Sequence, residues 1–202
     1  MKQQLIAVYG AMFAIANIAA VKVVTVSGIS ITAGTLPIAI AFLLSDIGVE
    51  RYGKKFGHKL ANAGLVSLVL TVMILFSVGA LPGESVINQV VNFSLPILAA
   101  SITTLAISQH TDVVLFSYIK QRLPYRFTRN IGSTITTQLL DTALFTTLAF
   151  AVYPLIIGGK QLSISVIISI IIADWTIKCV IAIVDTPIFY ACTQDLSVSE
   201  SN

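Results

Sequence analysis

Five aspartates, Asp46, Asp112, Asp141, Asp174 and Asp185, are set in stretches of sequence otherwise apolar enough for lipid, and Lys178 follows Asp174 by one helical turn. An ionisable side chain at bilayer depth costs roughly 2.5–3.5 kcal/mol near a helix centre, so such groups are rare and mark places where something is bound or moved. The chemistry they offer is recognition. Gln109-x-x-Asp112 and Gln138-x-x-Asp141 each put an amide and a carboxylate on one helix face. Such a pair meets the planar N–H/NH₂ edge of a guanine-like ligand in a bidentate, charge-assisted contact. The alternative is polar contact between helices, worth about 0.6 kcal/mol each. Asp112/Phe116, Asp141/Phe145 and Asp185/Phe189 repeat one spacing, a ring one turn after a carboxylate. A pattern this short also arises by chance.

Asp174, Lys178 and Asp185 share one stripe of a single apolar segment. Asp174 and Lys178 can pair and so offset the cost of burying either, either as a structural ion pair or as part of a gate. Trp175 and Pro187 lie on the same segment, and Pro187 removes a backbone hydrogen bond and can kink the helix near Asp185. Asp46 and Glu50 are one turn apart, with Glu50 among Arg51, Lys54 and Lys55 and Asp46 a turn deeper. The first apolar segment contributes Asn17, and Lys22 near its end is placed to snorkel. His110 stands beside Gln109 and could titrate, although a lone histidine is more often structural. No nucleophile–base motif, zinc motif or phosphate-binding loop occurs, so no catalytic residue, metal ligand or cofactor is expected, and ATP hydrolysis is not expected of this chain. Cys179 and Cys192 are thirteen residues apart on one predicted helix, about 20 Å, too far for a disulfide.

The elements that must position these groups are membrane helices. Hydrophobic residues make up 56% of 202 and charged residues 10%, with a mean hydropathy of +0.92; these lie outside the soluble globular range. Six segments approach the 20 residues a bilayer crossing needs: Leu5–Val24, Thr32–Val49, Leu60–Leu81, Leu95–Tyr118, Ile131–Ile157 and Ser163–Cys192. The reading is an all-α, polytopic protein with six transmembrane helices in one domain, residues 1–202. Ala14-Ile15-Ala16 resembles a signal-peptide cleavage site, but the apolar run continues past it, which favours an uncleaved helix. Val86–Ser94 reads as an interfacial or re-entrant piece, with the fourth membrane helix starting near Pro96. Arg51, Lys54, Lys55 and Lys59 fall between the second and third spans, and Lys120, Arg122, Arg126 and Arg129 between the fourth and fifth. By the positive-inside rule these loops, and hence both termini, are cytoplasmic. The same clusters are topology signals and not a nucleic-acid patch.

The run Ala33-Gly34-Thr35 followed by Leu44-Ser45-Asp46-Ile47-Gly48-Val49-Glu50-Arg51-Tyr52-Gly53-Lys54-Lys55 resembles a signature of the vitamin uptake transporter family, the queuosine precursor transporters. So do Ser108-Gln109-His110-Thr111-Asp112-Val113-Val114-Leu115-Phe116, then Arg129 with Ser133-Thr134 and Gln138-Leu139-Leu140-Asp141-Thr142, and Asp174-Trp175 with Lys178 and Asp185-Thr186-Pro187. Each motif is weak alone; four in order, from Asn17 to about Tyr190, are specific. The resemblance implies a multi-pass inner-membrane importer of 7-cyano-7-deazaguanine and 7-aminomethyl-7-deazaguanine that works without an ATPase. On this reading Asp112, Asp141, Gln109 and Gln138, with Asp46 and Asn17, hold the base, and Phe116, Phe145 and Trp175 supply ring faces. Asp174, Lys178, Asp185 and Glu50 would couple or gate. The expected partners are a small 7-deazapurine and membrane lipid, with no nucleic acid; a homo-oligomer is left open.

Two other classes compete. The substrate-binding component of an energy-coupling factor importer is also a small six-helix bundle, and Ala7/Ala11 and Ala16/Ala20 offer small-residue spacings for docking a partner. An intramembrane enzyme or assembly factor would have only His110 and the aspartates to work with.

Overall fold

A computed structural model describes residues 1–19, 22–26, 29–82, 86–122, 126–157 and 161–193, with side chains described outside 23–32, 86–96, 126–131 and 157. Helices dominate it. They are α1 (Lys2–Ala19), α2 (Thr35–Tyr52), α3 (Lys54–Gly79), α4 (Val86–Arg122), α5 (Arg126–Thr147), α6 (Tyr153–Ile157) and α7 (Ile164–Thr193). A π-helical turn, Leu148–Val152, carries α5 directly into α6. Among the described residues three stretches are long and apolar enough to cross a membrane by length and composition: Lys54–Gly79, Gly132–Ile156 and Ile164–Thr193.

Two expectations are corrected. The all-helical reading misses a two-stranded antiparallel hairpin, β1 (Val23–Val26) and β2 (Ile29–Thr32), in register Val23↔Thr32 to Val26↔Ile29. The first helix accordingly stops at Ala19 instead of running to Val24. The reason is local: Val23, Val24, Thr25, Val26, Ile29, Ile31 and Thr32 are all β-branched, which favours paired extended backbone over helix. The fourth helix, expected to begin near Pro96, runs unbroken from Val86. A proline removes one intrahelical bond, a loss that membrane helices accommodate.

Around the bundle α1 packs on α2 and α3, α3 on α4, α4 on α5, α5 on α7, and α7 back on α2, closing a ring. From Ser45 to Glu50 every residue of α2 is buried, so its second half runs through the interior of that ring. Close packing there depends on small residues. A Cβ on Gly57 of α3 would come within 2.5 Å of a Val49 methyl and 2.8 Å of one on Val113, so α2, α3 and α4 meet at that glycine. Gly53, at φ 82°, makes the turn from α2 to α3 in a region only glycine enters without strain.

The distribution of polarity is that of a lipid-facing bundle. Val66, Leu70, Met73 and Ile74 of α3 and Ile172, Val180, Ile183, Val184 and Ile188 of α7 are exposed, while Asp46, Gln109, Asp112, Thr137 and Gln138 are buried. Three contacts place the ends of several helices together. Lys2 lies over the Tyr52 ring at 4.8 Å, Lys120 Nζ is 3.1 Å from Glu50, and Arg51 Nε donates to the Cys192 carbonyl. The start of α1, the α2–α3 turn and the ends of α4 and α7 therefore share one end of the bundle, and the β-hairpin caps the other.

Candidate functional site

A cavity of about 330 Å³ lies in the hairpin half of the bundle and takes lining residues from all six helices of the ring. Its walls are apolar and aromatic, with Phe13, Ile38, Leu68, Ile97, Phe145 and Phe150. Phe145 and Phe150 meet edge to face with centroids 6.5 Å apart. Phe150 belongs to the π-helical turn, and such turns recur at functional sites because the extra residue redirects side chains. Polar groups are few: Asn17, Thr35, Ser101, Thr104, Asp141, Thr146, Asp174 and Lys178.

Lys178 organises the polar side of this cavity. Its ammonium is 2.9 Å from Asp174 Oδ2, one turn back on α7, and 3.2 Å from Asp141 Oδ2 on α5. It also donates to Thr142 Oγ1 at 2.9 Å. Asp141 Oδ1 accepts from Ser108 of α4 at 2.8 Å, and Asp174 Oδ1 accepts from Thr35 of α2 at 3.3 Å. One cation thus ties α5 to α7, and its two carboxylates reach α4 and α2. The side chain of Asp174 is 25% exposed against 6% for Lys178 and 12% for Asp141. Asp174 is therefore the charged group most open to a ligand. Asn17, which lines the cavity, donates its side-chain amide to Phe13 O at 2.9 Å.

Beyond this triad, away from the hairpin, a second buried polar layer begins. Thr137 donates to Asp112 Oδ1 at 2.7 Å, Thr134 donates to Asp46 Oδ2 at 2.7 Å, and Tyr9 donates to Gln109 Oε1. Thr134 precedes Asp141 by seven residues, so the layer extends about 10 Å along α5 from the cavity's polar side. Several buried atoms in it make no hydrogen bond to a described residue, among them Asp46 Oδ1, Asp112 Oδ2, Gln109 Nε2 and Gln138 Oε1. Below lies an apolar plug of Leu43, Ile47, Val49, Val113, Phe116 and Phe189, in which Phe116 and Phe189 stack edge to face at 6.3 Å.

The residues singled out in the sequence thus separate by level. Asn17, Asp141 and Phe145, read there as ligand-binding, line the cavity, and Asp174 and Lys178, read as gating, line it with them. Asp46, Gln109, Asp112 and Gln138 are brought together beneath it. Phe116 and Trp175 are not brought to the cavity: Phe116 fills the plug, and Trp175 Nε1 donates to Ile135 O at 3.1 Å, docking α7 on α5. Glu50 pairs with Lys120 at the far end, and Asp185 is half-buried. His110 meets His58 at 2.9 Å, ring nitrogen to ring nitrogen. The sequence reading missed Tyr9, Thr35, Thr104, Thr134, Thr137 and Thr142 as functional groups. A usable signal existed in Thr134-x-x-Thr137-Gln138-x-x-Asp141, where the hydroxyls and the amide occupy one turn leading to the carboxylate.

A helical bundle with a lipid-compatible exterior and an aromatic, polar-sided cavity is the architecture of a membrane protein that handles a small solute. The chain belongs to the family described as "Putative vitamin uptake transporter", whose profile matches residues 32–192. It is 28% identical over 189 residues to the "Probable queuosine precursor transporter" of Bacillus subtilis (strain 168), an alignment covering 89% of this chain and 79% of that one. No solved structure matches it.

Proposed function

We propose that the chain is a single-domain, six-span carrier of the cytoplasmic membrane that imports a 7-deazapurine precursor of queuosine, of the 7-cyano- or 7-aminomethyl-7-deazaguanine type. One observation carries the proposal: the Asp141–Lys178–Asp174 triad stands at one side of a cavity whose other walls are Phe13, Phe145 and Phe150. A deazaguanine is a flat ring with a donor edge beside a carbonyl. Phe145 and Phe150 offer faces and edges to the ring, Asp174 accepts from the N–H/NH₂ edge, and Thr104, whose hydroxyl has no partner among the described residues, donates to the carbonyl. The volume is at the small end of the ~300–1,000 Å³ typical of ligand pockets, which suits a bicyclic base and not a larger vitamin. The name of the Bacillus relative points to the same solute.

The test is queuosine content in tRNA of a cell that cannot make the precursor but retains the enzymes that use it. Expression of this chain with external precursor should restore the modified nucleoside. Asp174→Asn should lose most of the restoration at limiting precursor, and Phe145→Ala should raise the precursor concentration required. Normal restoration by both variants would place the ligand elsewhere. Uptake by the purified chain alone in liposomes is expected as well; a strict need for copurifying ATPases would instead make it the binding component of an energy-coupling factor importer.

A further inference from the structure

We propose that Asp46, Asp112 and Gln138 form a site for a monovalent cation, a proton or Na⁺, in the layer beneath the solute cavity, and that its occupancy drives transport. The coupling half of this rests on the transport reading above; the site itself does not.

The argument begins with charge balance. Asp46 and Asp112 are buried to 1% and 0% exposure, and among the described residues neither makes an ion pair. The interior cation, Lys178, is already shared between Asp141 and Asp174. A buried ionised carboxylate without a counter-charge is strongly disfavoured, and a hydroxyl donor does not replace one. Their donors are neutral hydroxyls, Thr134 for Asp46 and Thr137 for Asp112, with the Ser45 hydroxyl also close to Asp112.

Geometry supplies the second half. Thr134 and Thr137 are three residues apart on α5, so they hold the two carboxylates within one helical turn of each other. Gln138 stands in that same turn, four residues after Thr134. Its Oε1, Asp46 Oδ1 and Asp112 Oδ2 are buried acceptors with no hydrogen bond to a described residue. Three unsatisfied oxygens, two from like-charged groups, form a set that lacks positive charge. Hard oxygen donors of this kind suit a small hard cation. They equally suit a carboxyl proton, which needs a second oxygen to accept its hydrogen bond. The other ionisable groups facing the layer are Tyr9 from α1, Glu50 from α2, Asp141 from α5 and Asp185 from α7. His58 of α3 is turned to His110 of α4. Among the described residues none of the groups facing the layer brings a positive charge, and Lys178 reaches it only through Asp141.

The position is suited to coupling. The layer separates the cavity's triad from the plug of Phe116 and Phe189, so an empty, negatively charged layer would resist closing dry. Filling it would allow that.

Two measurements on the full chain test this. The first needs no solute: thermal unfolding of the purified protein in NaCl against choline chloride at matched ionic strength, and across a pH series, for wild type and Asp112→Asn. Stabilisation specific to Na⁺, or a pH dependence of stability that the variant loses, is expected. The second is uptake of labelled 7-aminomethyl-7-deazaguanine into proteoliposomes under an imposed Na⁺ or pH gradient. With the membrane potential clamped at zero and one cation per solute, a tenfold gradient should give about tenfold accumulation, and Asp112→Asn should only equilibrate. The responsive arm says which cation binds. Stability indifferent to Na⁺ with the same pH profile in both proteins, or uptake that only equilibrates under both gradients, overturns the proposal. Should Asp112→Asn not fold, Asp46→Asn and the wild-type gradients decide. If no deazapurine is taken up at all, the transport reading fails and the solute-free measurement still judges the site.

Discussion

Lys178 carries more of the site than any other described side chain, because its ammonium serves two carboxylates on different helices. Removing one member of a buried ion pair costs about 3–5 kcal/mol, since the remaining charge is stranded. Lys178→Met should therefore lower the unfolding temperature of the purified protein sharply, and adding Asp141→Asn should recover part of the loss. That non-additivity, read from thermal unfolding of the single and double variants, distinguishes a charge effect from mere loss of packing. An equal or greater loss in the double variant would contradict it. Aspartate and lysine could be found from sequence alone because their burial in an apolar segment is expensive and hence informative. Threonine was harder to read. Thr35, Thr104 and Thr142 sit in helices where a hydroxyl can always bond its own backbone, as Thr103 and Thr136 do, so each gains meaning only once a partner helix is placed; Thr134 and Thr137 were legible only through their spacing to Gln138 and Asp141. Rings misled for the reverse reason: Phe116 and Phe145 share one spacing to an aspartate, yet one packs in the plug and the other lines the cavity.

Helices long and uniformly apolar were legible as elements: the expected Ser163–Cys192 corresponds to α7 at Ile164–Thr193, and Ile131–Ile157 to α5 with its π-helical turn and α6. Boundaries set by backbone chemistry were not, since hydropathy cannot separate a β-branched hairpin from the end of a helix. How the helices pack was also invisible until glycine spacing had a partner to face. Gly57→Ala would drive a methyl into Val49 and Val113 at 2.5–2.8 Å, both on interior helices. Overpacking of this kind costs typically about 1–3 kcal/mol, and here it would displace α3 from α2 and α4. The expected outcome is a lower unfolding temperature with solute affinity retained in the fraction that folds. Gly53→Ala meets no neighbour but must hold φ 82°, ψ 172°, a region essentially reserved for glycine, so its cost is backbone strain of about 1–3 kcal/mol. A larger loss at Gly53 than at Gly57 would show that the turn, not the three-helix contact, limits the packing.

For the whole molecule the open question is which end faces the cell interior, and the structure joins two arguments. Positive charge is concentrated at one end, with Lys2, Lys55 and Lys59 around one groove and Lys120 on Glu50 nearby; by the positive-inside rule this end is expected to be cytoplasmic. The start of α1 and the end of α7 share it, through Lys2 on Tyr52 and Arg51 on the Cys192 carbonyl. The cavity lies in the opposite half, between the end of α1 and the start of α2, and is closed toward the basic end by the polar layer and the Phe116–Phe189 plug. By the same rule the cavity half is expected on the outer side, where an importer would take up solute. The orientation is tested with single cysteines in a background lacking Cys179 and Cys192. A membrane-impermeant maleimide should label Ser163→Cys in intact cells and Lys55→Cys only after permeabilisation. Labelling of Thr146→Cys, inside the cavity, should occur from outside and be slowed by excess deazapurine. If Lys55→Cys were labelled first, the cavity would face the cytoplasm and the same structure would describe the release state.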